Sequence, residues 1–112
     1  MSTMLHTVSP ATTVGEAVAL MAQYRIGSTV VMDGPRLMGI FTERDTVRAL
    51  SQSHDAPGHE VSSWMTRDPM TVGPEQDTQV ALGTMLTQGF RHLPVVENGE
   101  VIGIVSIRDL AG

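Results

Sequence analysis

The feature of this sequence that most restricts its fold is an internal repeat. When the 112-residue chain is aligned with itself at an offset of 64, residues 7–48 match residues 71–112 without a gap. Ten of the 42 aligned positions are identical, whereas average composition would give roughly three. The identical pairs are Thr7/Thr71, Val8/Val72, Pro10/Pro74, Ala17/Ala81, Met21/Met85, Val31/Val95, Gly39/Gly103, Ile40/Ile104, Arg44/Arg108 and Asp45/Asp109. The chain is therefore a tandem duplication, and we expect both halves to fold alike.

Each half begins with a short strand followed by a helix. In the first half, Thr7 and Val8 are extended and end at Pro10, and a Thr13–Glu16 capping box begins a helix that we expect to end at Gly27. In the second half, Asp77 is the expected helix cap. Apolar residues at helical spacing define the expected inner faces of the two helices. These residues are Val14, Ala17, Val18, Met21 and Tyr24 in the first, and Ala81, Leu82, Met85 and Leu86 in the second.

The helix of each half is followed by a predicted hairpin and a second helix. Residues 29–32 and 37–41 are apolar runs separated by Asp33, Gly34 and Pro35, which are turn residues. Residues 90–96 and 101–105 repeat the pattern around Asn98-Gly99, the dipeptide favoured in two-residue hairpin turns. Thr42 and Ser106 then cap the closing helices.

These elements predict an α/β (α+β) fold made of two β-α-β-β-α repeats. A three-stranded sheet with two helices cannot cover both of its faces, so we expect the repeats to pack together about a pseudo-twofold axis. The chain is then a single module, 1–112, with repeat one at 7–55, a linker at 56–70 and repeat two at 71–112.

Composition excludes several classes of function. The formal net charge of −5 and the pI near 5.1 disfavour nucleic acid as a partner. The absence of cysteine removes disulfides, thiolate metal ligands and a cysteine nucleophile. No apolar run approaches the roughly twenty residues that cross a bilayer, and residues 1–6 do not resemble a signal peptide. We therefore expect a cytoplasmic protein without a membrane partner.

The junction between the returning strand and the closing helix is the candidate site. It reads Gly-Ile-Phe-Thr-Glu-Arg-Asp at 39–45 and Gly-Ile-Val-Ser-Ile-Arg-Asp at 103–109. A helix N-terminus favours an anion such as phosphate, arginine adds a fixed positive fork, and a carboxylate can accept ribose hydroxyls. The alternative is purely structural, because a hydroxyl residue with an acidic residue three positions later is close to a capping box.

A second cluster of polar residues invites a metal assignment that we do not adopt. His54, Asp55, His59 and Glu60 are close in sequence, but a Pro-Gly pair separates the histidines and no framework fixes their geometry. We predict no metal site there.

The combination of motifs resembles the CBS domain family. Thr-Val-x-Pro precedes the first helix of each half, Phe90-Arg91-His92-Leu93-Pro94-Val95-Val96 precedes the second hairpin, and Gly-x-x-(Thr/Ser)-x-x-Asp closes each half. Two CBS repeats in tandem form a Bateman module. The resemblance covers the chain from Thr7 to Leu110 and implies a regulatory module that binds AMP, ADP, ATP, NAD or S-adenosylmethionine in clefts between the repeats.

The resemblance also implies which residues line each cleft. Asp45 and Asp109 would hold ribose hydroxyls, Thr42 and Ser106 would meet phosphate, and groups near residues 27 and 92 would flank adenine. The first cleft would use Thr7, Val8, Gly27 and Ser28 with Arg91, His92, Pro94, Ser106, Arg108 and Asp109. The second would use Thr71, Val72, Arg91 and His92 with Ile26, Gly27, Thr42, Arg44 and Asp45.

Two departures from the family pattern bear on these expectations. The chain stops three residues after Asp109, so we expect the last helix to be shorter than is usual in the family. Arg91 and His92 stand where the first repeat has Gly27 and Ser28, so the two clefts should be unequal, with the more cationic one the better phosphate site.

The leading hypothesis is thus a ligand-sensing module that transmits its state to an effector protein, as a homodimer formed through the helix faces carrying Met21 and Met85. The alternative is a ligand-free dimerisation or scaffold module. Catalysis is not expected, and no catalytic cofactor is implied, because the chain has no Gly-rich Walker loop and no recognisable Ser-His-Asp set.

Overall fold

The structure is a computed structural model that describes residues 5–73 and 78–106. The helices are α1 (Val14–Tyr24), α2 (Glu43–Gln52) and α3 (Thr78–Gln88), and the strands are β1 (Thr7–Val8), β2 (Ser28–Asp33), β3 (Arg36–Thr42), β4 (Thr66–Arg67), β5 (His92–Glu97) and β6 (Glu100–Ser106). Two 3-10 turns, Ala56–Gly58 and Val61–Ser63, lie between α2 and β4. The described chain forms two compact units, a first unit of His6–Asp68 and a second unit of residues 69–73 and 78–106 with Leu5.

Helix α1 begins as predicted and ends at Tyr24, three residues before the predicted glycine. The Thr13 hydroxyl accepts from the backbone N–H of Glu16 at 3.1 Å, and the Glu16 carboxylate accepts from the backbone N–H of Thr13 at 3.0 Å. The hydrogen bonds from the Thr13 backbone and hydroxyl lower the pKa of Glu16. The expected end at Gly27 is wrong, because Arg25 adopts the left-handed conformation, with φ 55°, and stops the helix after Tyr24.

The first unit has a four-stranded sheet in the order β1-β2-β3-β4. Val14, Ala17 and Met21 of α1 are buried and share one core with residues of the sheet and of the segment after α2. Val18 packs at the edge of this core. Tyr24, also predicted to face inward, is 43% exposed and stacks on His6, with ring centroids 3.9 Å apart.

The segment at 56–70, predicted as a linker, is folded onto the first unit over most of its length. Ala56 and Val61 are fully buried, and Glu60 forms a β-bridge with Thr13. Strand β4 then pairs antiparallel with β3, placing Gly39 opposite Arg67. Residues 56–68 therefore add a strand and buried side chains to the first unit.

The second unit repeats the hairpin and the first helix. Strands β5 and β6 are antiparallel, and Asn98 and Gly99 between them both have positive φ, 53° and 82°. Ala81 and Met85 of α3 are buried against the hairpin. The inward placement of Leu86 is wrong, because its side chain is 66% exposed. Asp77 and the helix predicted after Ser106 lie outside the described residues.

Strand pairing follows the sequence repeat at every position of the two hairpins. All six pairs of β2 with β3, from Ser28↔Thr42 to Asp33↔Arg36, recur 64 residues later in β5 and β6. The register shift after Val31 recurs after Val95. The parallel contact of the opening strand is also repeated, since Val8 lies beside Val31 and Val72 beside Val95. The duplication read from the sequence is thus a duplication of backbone geometry.

The faces of the helices that carry Met21 and Met85 are not available as a dimer surface. Their side chains are 5% and 1% exposed and belong to the cores of their own units. The expectation that these two faces form the homodimer contact is wrong, because hydrophobic periodicity identifies an apolar face without showing what covers it.

One buried hydroxyl makes a stability prediction possible. Thr29 in β2 is fully buried, and its Oγ1 has no hydrogen-bond partner among the described residues. Replacing Thr29 with Val keeps the branched shape and removes the unpaired polar group, so the free energy of unfolding should rise by about 1–2 kcal/mol in urea denaturation. The matched control is Thr13→Val, which removes a hydroxyl that caps α1 and should lower that energy by about 1 kcal/mol. A destabilised Thr29→Val chain would show that the hydroxyl is satisfied in solution.

Over the residues described, no helix has the length and apolar character needed to cross a membrane.

Candidate functional site

Three segments of the first unit meet at the end of the sheet where β2 begins and β3 ends. Ser28 pairs with Thr42 across the two strands, and the backbone N–H of Glu43 donates to the carbonyl of Gly27 at 3.0 Å. Thr7 of β1 pairs with Val30, two residues along from Ser28. The structure therefore brings the opening strand, the Gly27-Ser28 segment and the junction between β3 and α2 to one end of the sheet. Ile26 and Val8, also predicted for the site, lie beside the core of this unit.

At this junction Thr42 and Asp45 form a complete capping box. Asp45 Oδ2 accepts from the backbone N–H of Thr42 at 3.0 Å and from its hydroxyl at 3.1 Å, while the Thr42 hydroxyl accepts from the backbone N–H of Asp45 at 3.2 Å. The Asp45 side chain is only 9% exposed. The structural interpretation of this motif is thus confirmed in the first repeat, where Asp45 stabilises the start of α2.

Arg48 holds the other oxygen of the same carboxylate. Its Nη2 lies 3.3 Å from Asp45 Oδ1 and also donates to the carbonyl of Trp64 at 2.6 Å. The guanidinium carbon is 5.3 Å from the centre of the Trp64 ring, within the range of a cation–π contact. Arg48 therefore links the candidate ribose carboxylate to the segment that leads into β4.

Arg44 also lies at this junction, and no residue in the described part of the chain balances its positive charge. It is exposed in the first turn of α2, and its guanidinium makes no ion pair or hydrogen bond with any described residue. A cation at a helix N-terminus is disfavoured by the macrodipole. Its position therefore does not serve the stability of the helix, and it leaves a positive group beside the helix start.

The second unit arranges its described candidate residues in the same way. Val72 donates to the carbonyl of Pro94 at 3.0 Å, and His92 pairs with Ser106 as Ser28 pairs with Thr42. Pro94 is fully buried, Arg91 and Thr71 are exposed, and His92 is half-buried. Arg108 and Asp109 lie outside the described residues. The two predicted clefts would combine residues of both units, and both clefts stay a prediction.

Two of the four candidate metal ligands, Asp55 and His59, form a chain of polar contacts with Ser53 and Trp64. The Trp64 indole N–H donates to His59 Nδ1 at 3.1 Å, and His59 Nε2 lies 3.4 Å from Asp55 Oδ1. The Ser53 hydroxyl donates to Asp55, and this bond is the largest cause of a lowered Asp55 pKa. Within 5–73 and 78–106, no group of three or more His, Asp or Glu side chains is placed to hold a metal ion.

Sequence reasoning did not identify Arg48 and Trp64 as neighbours of the candidate site. The contact between Arg48 and Asp45 had a signal, because residues three apart share a helix face. The contact with Trp64 had none, since it depends on how the segment after α2 folds back.

Comparison with known proteins identifies the family. The sequence profile of the CBS domain family matches residues 1–52 and 61–112, and these ranges cover the two repeats. The chain belongs to the CBS domain family.

Two relatives illustrate the range of similarity. An uncharacterised 17.7 kDa protein of Acidianus ambivalens is 44% identical over 98% of this chain and 67% of its own length. The CBS domain-containing protein YhcV of Bacillus subtilis is 34% identical over 99% of this chain and 79% of its own length. Other relatives are longer, and the chain spans about a fifth of an inosine-5'-monophosphate dehydrogenase of Korarchaeum cryptofilum, at 42% identity.

Solved structures share the fold over nearly the whole chain. The CBS-domain protein ATU1752 of Agrobacterium tumefaciens matches with a TM-score of 0.92 at 35% identity, covering 96% of this chain and 87% of its own. The CBS domain protein PAE2072 of Pyrobaculum aerophilum, solved in complex with AMP, matches with a TM-score of 0.87 at 29% identity, covering 97% of this chain and 85% of its own. The mixed α/β fold of a CBS-domain pair is thereby established.

Proposed function

We propose that this chain is a regulatory module that binds an adenosyl compound between its two CBS repeats and transmits the bound state to a partner. The observation that carries the proposal is the similarity, along 97% of the chain, to a CBS protein that was solved with AMP. The ligand class comprises AMP, ADP, ATP, NAD and S-adenosylmethionine, which share the adenosine group. The proposal includes no catalytic step.

The geometry of the first unit supports each part of adenosine recognition. The Asp45 carboxylate is an acceptor for ribose hydroxyls, and the exposed Arg44 guanidinium is a partner for phosphate. The Gly27-Ser28 segment lies against the start of α2 through the bond from Glu43, so it can approach the base while the helix start faces the phosphate. Asp109, Arg108 and Ser106 occupy the matching positions of the second repeat, and we propose the same roles for them.

Isothermal titration calorimetry of the purified chain with AMP, ADP, ATP, NAD and S-adenosylmethionine tests the proposal. We expect heat of binding with at least one of these ligands. The ligand that binds most tightly shows which group attached to the adenosine the site prefers. Absence of heat with all five would leave the alternative, a ligand-free dimerisation or scaffold module. One observation favours that alternative, namely that Asp45 already has hydrogen-bond partners on both of its oxygens.

The phosphate role of Arg44 gives a prediction with opposite signs for binding and stability. Arg44→Gln should weaken AMP binding by about tenfold, since a hydrogen bond to a charged group is lost. The same change should raise the free energy of unfolding by about 0.3–1 kcal/mol, because it removes a cation from a helix N-terminus. Calorimetry and urea denaturation measure the two effects.

The matched control is Arg36→Gln. Arg36 begins β3, at the opposite end of the strand from Thr42, and is also an exposed arginine. Removing it changes the net charge equally and should leave AMP affinity unchanged. Equal losses of affinity in both variants would mean that only overall charge matters.

For the partner, we propose a homodimer that is read by an effector protein. The faces with Met21 and Met85 are excluded, and α2 instead exposes Val47 and Leu50, which are 68% and 48% accessible. Thr42 and Asp45 cap the start of α2. A ligand at the start of α2 and a dimer contact along the exposed side of α2 would therefore act on one rigid element.

A further inference from the structure

The Asp45 carboxylate has too few free acceptor positions for a ribose as long as Arg48 is bound to it. An ionised carboxylate offers about four lone-pair positions, two on each oxygen. Both positions of Oδ2 are taken by the backbone N–H and the hydroxyl of Thr42, and one position of Oδ1 is taken by Arg48. Two neighbouring ribose hydroxyls need two acceptors, and only one remains.

Of these three contacts, the one from Arg48 is the easiest to displace. The Thr42 bonds, at 3.0 and 3.1 Å, belong to the capping box that begins α2. The Arg48 bond is longer, at 3.3 Å, and the Arg48 side chain is 46% exposed, so solvent weakens this ion pair. Arg48 nevertheless stays beside Asp45, because its shorter bond to the Trp64 carbonyl and its position over the Trp64 ring hold it there.

The second repeat has no corresponding cation. The residue that matches Arg48 at the offset of 64 is Gly112, which has no side chain to compete for Asp109. The first repeat therefore has an arginine that contacts its aspartate, and the second repeat has a glycine at the matching position. This difference adds to the one between Gly27-Ser28 and Arg91-His92.

We infer that Arg48 is a positioning residue that competes with the ligand for Asp45 Oδ1 and so makes the Asp45 site the weaker of the two. A ligand that binds at Asp45 must displace Arg48 from Oδ1, whereas the second repeat has Gly112, which carries no side chain, at the position that matches Arg48. The inference rests on the proposed function, since it concerns the affinity of the same adenosine sites.

The test measures AMP binding at the Asp45 site with and without Arg48. Titrations are made in an Asp109→Asn background, which weakens the other site, and in 0.15 M salt, which screens the long-range attraction between Arg48 and phosphate. Arg48→Met keeps the length of the side-chain stem and removes the guanidinium. We expect AMP to bind about two- to fivefold more tightly, the ratio that corresponds to an exposed ion pair.

Two further variants separate competition from a change in the fold. Arg48→Gln keeps an amide donor for the Trp64 carbonyl and should also tighten binding. Arg67→Met removes another arginine that donates to a backbone carbonyl of the same segment, that of Ser62 at 3.1 Å, and should leave AMP affinity unchanged.

In an Asp45→Asn background, where AMP is held mainly at the other site, Arg48→Met should have no effect. Unchanged or weaker binding after Arg48→Met and Arg48→Gln would overturn the inference, and the proposed function would stand because AMP still binds. Absence of binding of all five adenosyl compounds by the unmodified chain would overturn both.

Discussion

Gly39→Ala should lower the free energy of unfolding by about 2–3 kcal/mol, as expected when a group is forced into a packed site. A Cβ at this position would lie 2.6 Å from the backbone carbonyl oxygen of Thr66 and 2.7 Å from the Met65 sulfur. The sulfur belongs to a side chain that can move, but the carbonyl belongs to β4, which pairs with β3 at this residue. The methyl group must therefore push β4 and the buried Met65 away from the sheet. Urea denaturation, with equal slopes for the two chains, measures the change.

The matched control for Gly39→Ala is Gly83→Ala. Gly83 lies inside α3, and apart from its two chain neighbours and the nearby backbone of its own helix, none of the described residues has an atom within 4 Å of its added Cβ. Alanine at an exposed helix position should raise the free energy of unfolding by about 0.5–1 kcal/mol. The two substitutions are chemically identical and should have opposite signs. A Gly39→Ala chain as stable as the original would mean that β4 is not held against β3 in solution.

Much of the fold can be predicted from the sequence because its signals are local and occur twice. Thr13 with Glu16 fixes one helix start, Thr42 with Asp45 another, and Asn98-Gly99 fixes a hairpin turn. Each signal depends on residues within four positions of one another. The repeat then predicts the matching element of the other half, and the common register of β2-β3 and β5-β6 confirms this prediction for the hairpins.

The segment between the repeats could not be predicted in the same way. Pro57 and Gly58 are typical of a linker, yet the backbone beside them is packed so closely that a Cβ on Gly15 would lie 3.2 Å from the Pro57 carbonyl oxygen. Strand β4 has only two residues, too few for an alternating pattern. The buried residues of this segment are Ala56, Val61 and Met65. Their burial comes from tertiary contacts with α1 and the sheet, which short-range patterns do not contain.

The role of Asp45 shows why the chemistry of the site is harder to predict than its position. A capping box and a ribose contact can both use a carboxylate at the third position of a helix that begins at a strand end. The sequence locates this carboxylate, and the structure shows that it caps α2. Its proposed ribose role depends on whether Oδ1 can still accept a ligand, and Arg48, which Trp64 holds beside Asp45, contacts that oxygen.

The largest effect on binding should come from Asp109, the aspartate of the repeat in which glycine replaces Arg48. Asp109→Asn should weaken AMP binding at its site by about 1.5–3 kcal/mol, since an amide cannot form the charge-assisted hydrogen bonds that a carboxylate forms with two hydroxyls. Asparagine is chosen because its oxygen can still accept from a backbone N–H at a helix start. Alanine could not, and Asp45→Ala would leave Thr42 and Arg48 without their partner, at a cost of about 1–3 kcal/mol in stability.

Asp45→Asn is the internal comparison for Asp109→Asn. It should weaken binding by less, because the Asp45 carboxylate has only one free acceptor position while Arg48 is bound to it. Calorimetric titration of both variants with AMP gives the two losses, and urea denaturation shows whether each chain is still folded. If both folded variants bind AMP as tightly as the original chain, the carboxylates serve only as helix caps and the ribose role is wrong. If Asp45→Asn causes the larger loss, Arg48 does not compete for Oδ1, and the inequality of the two sites must arise from Arg91 and His92.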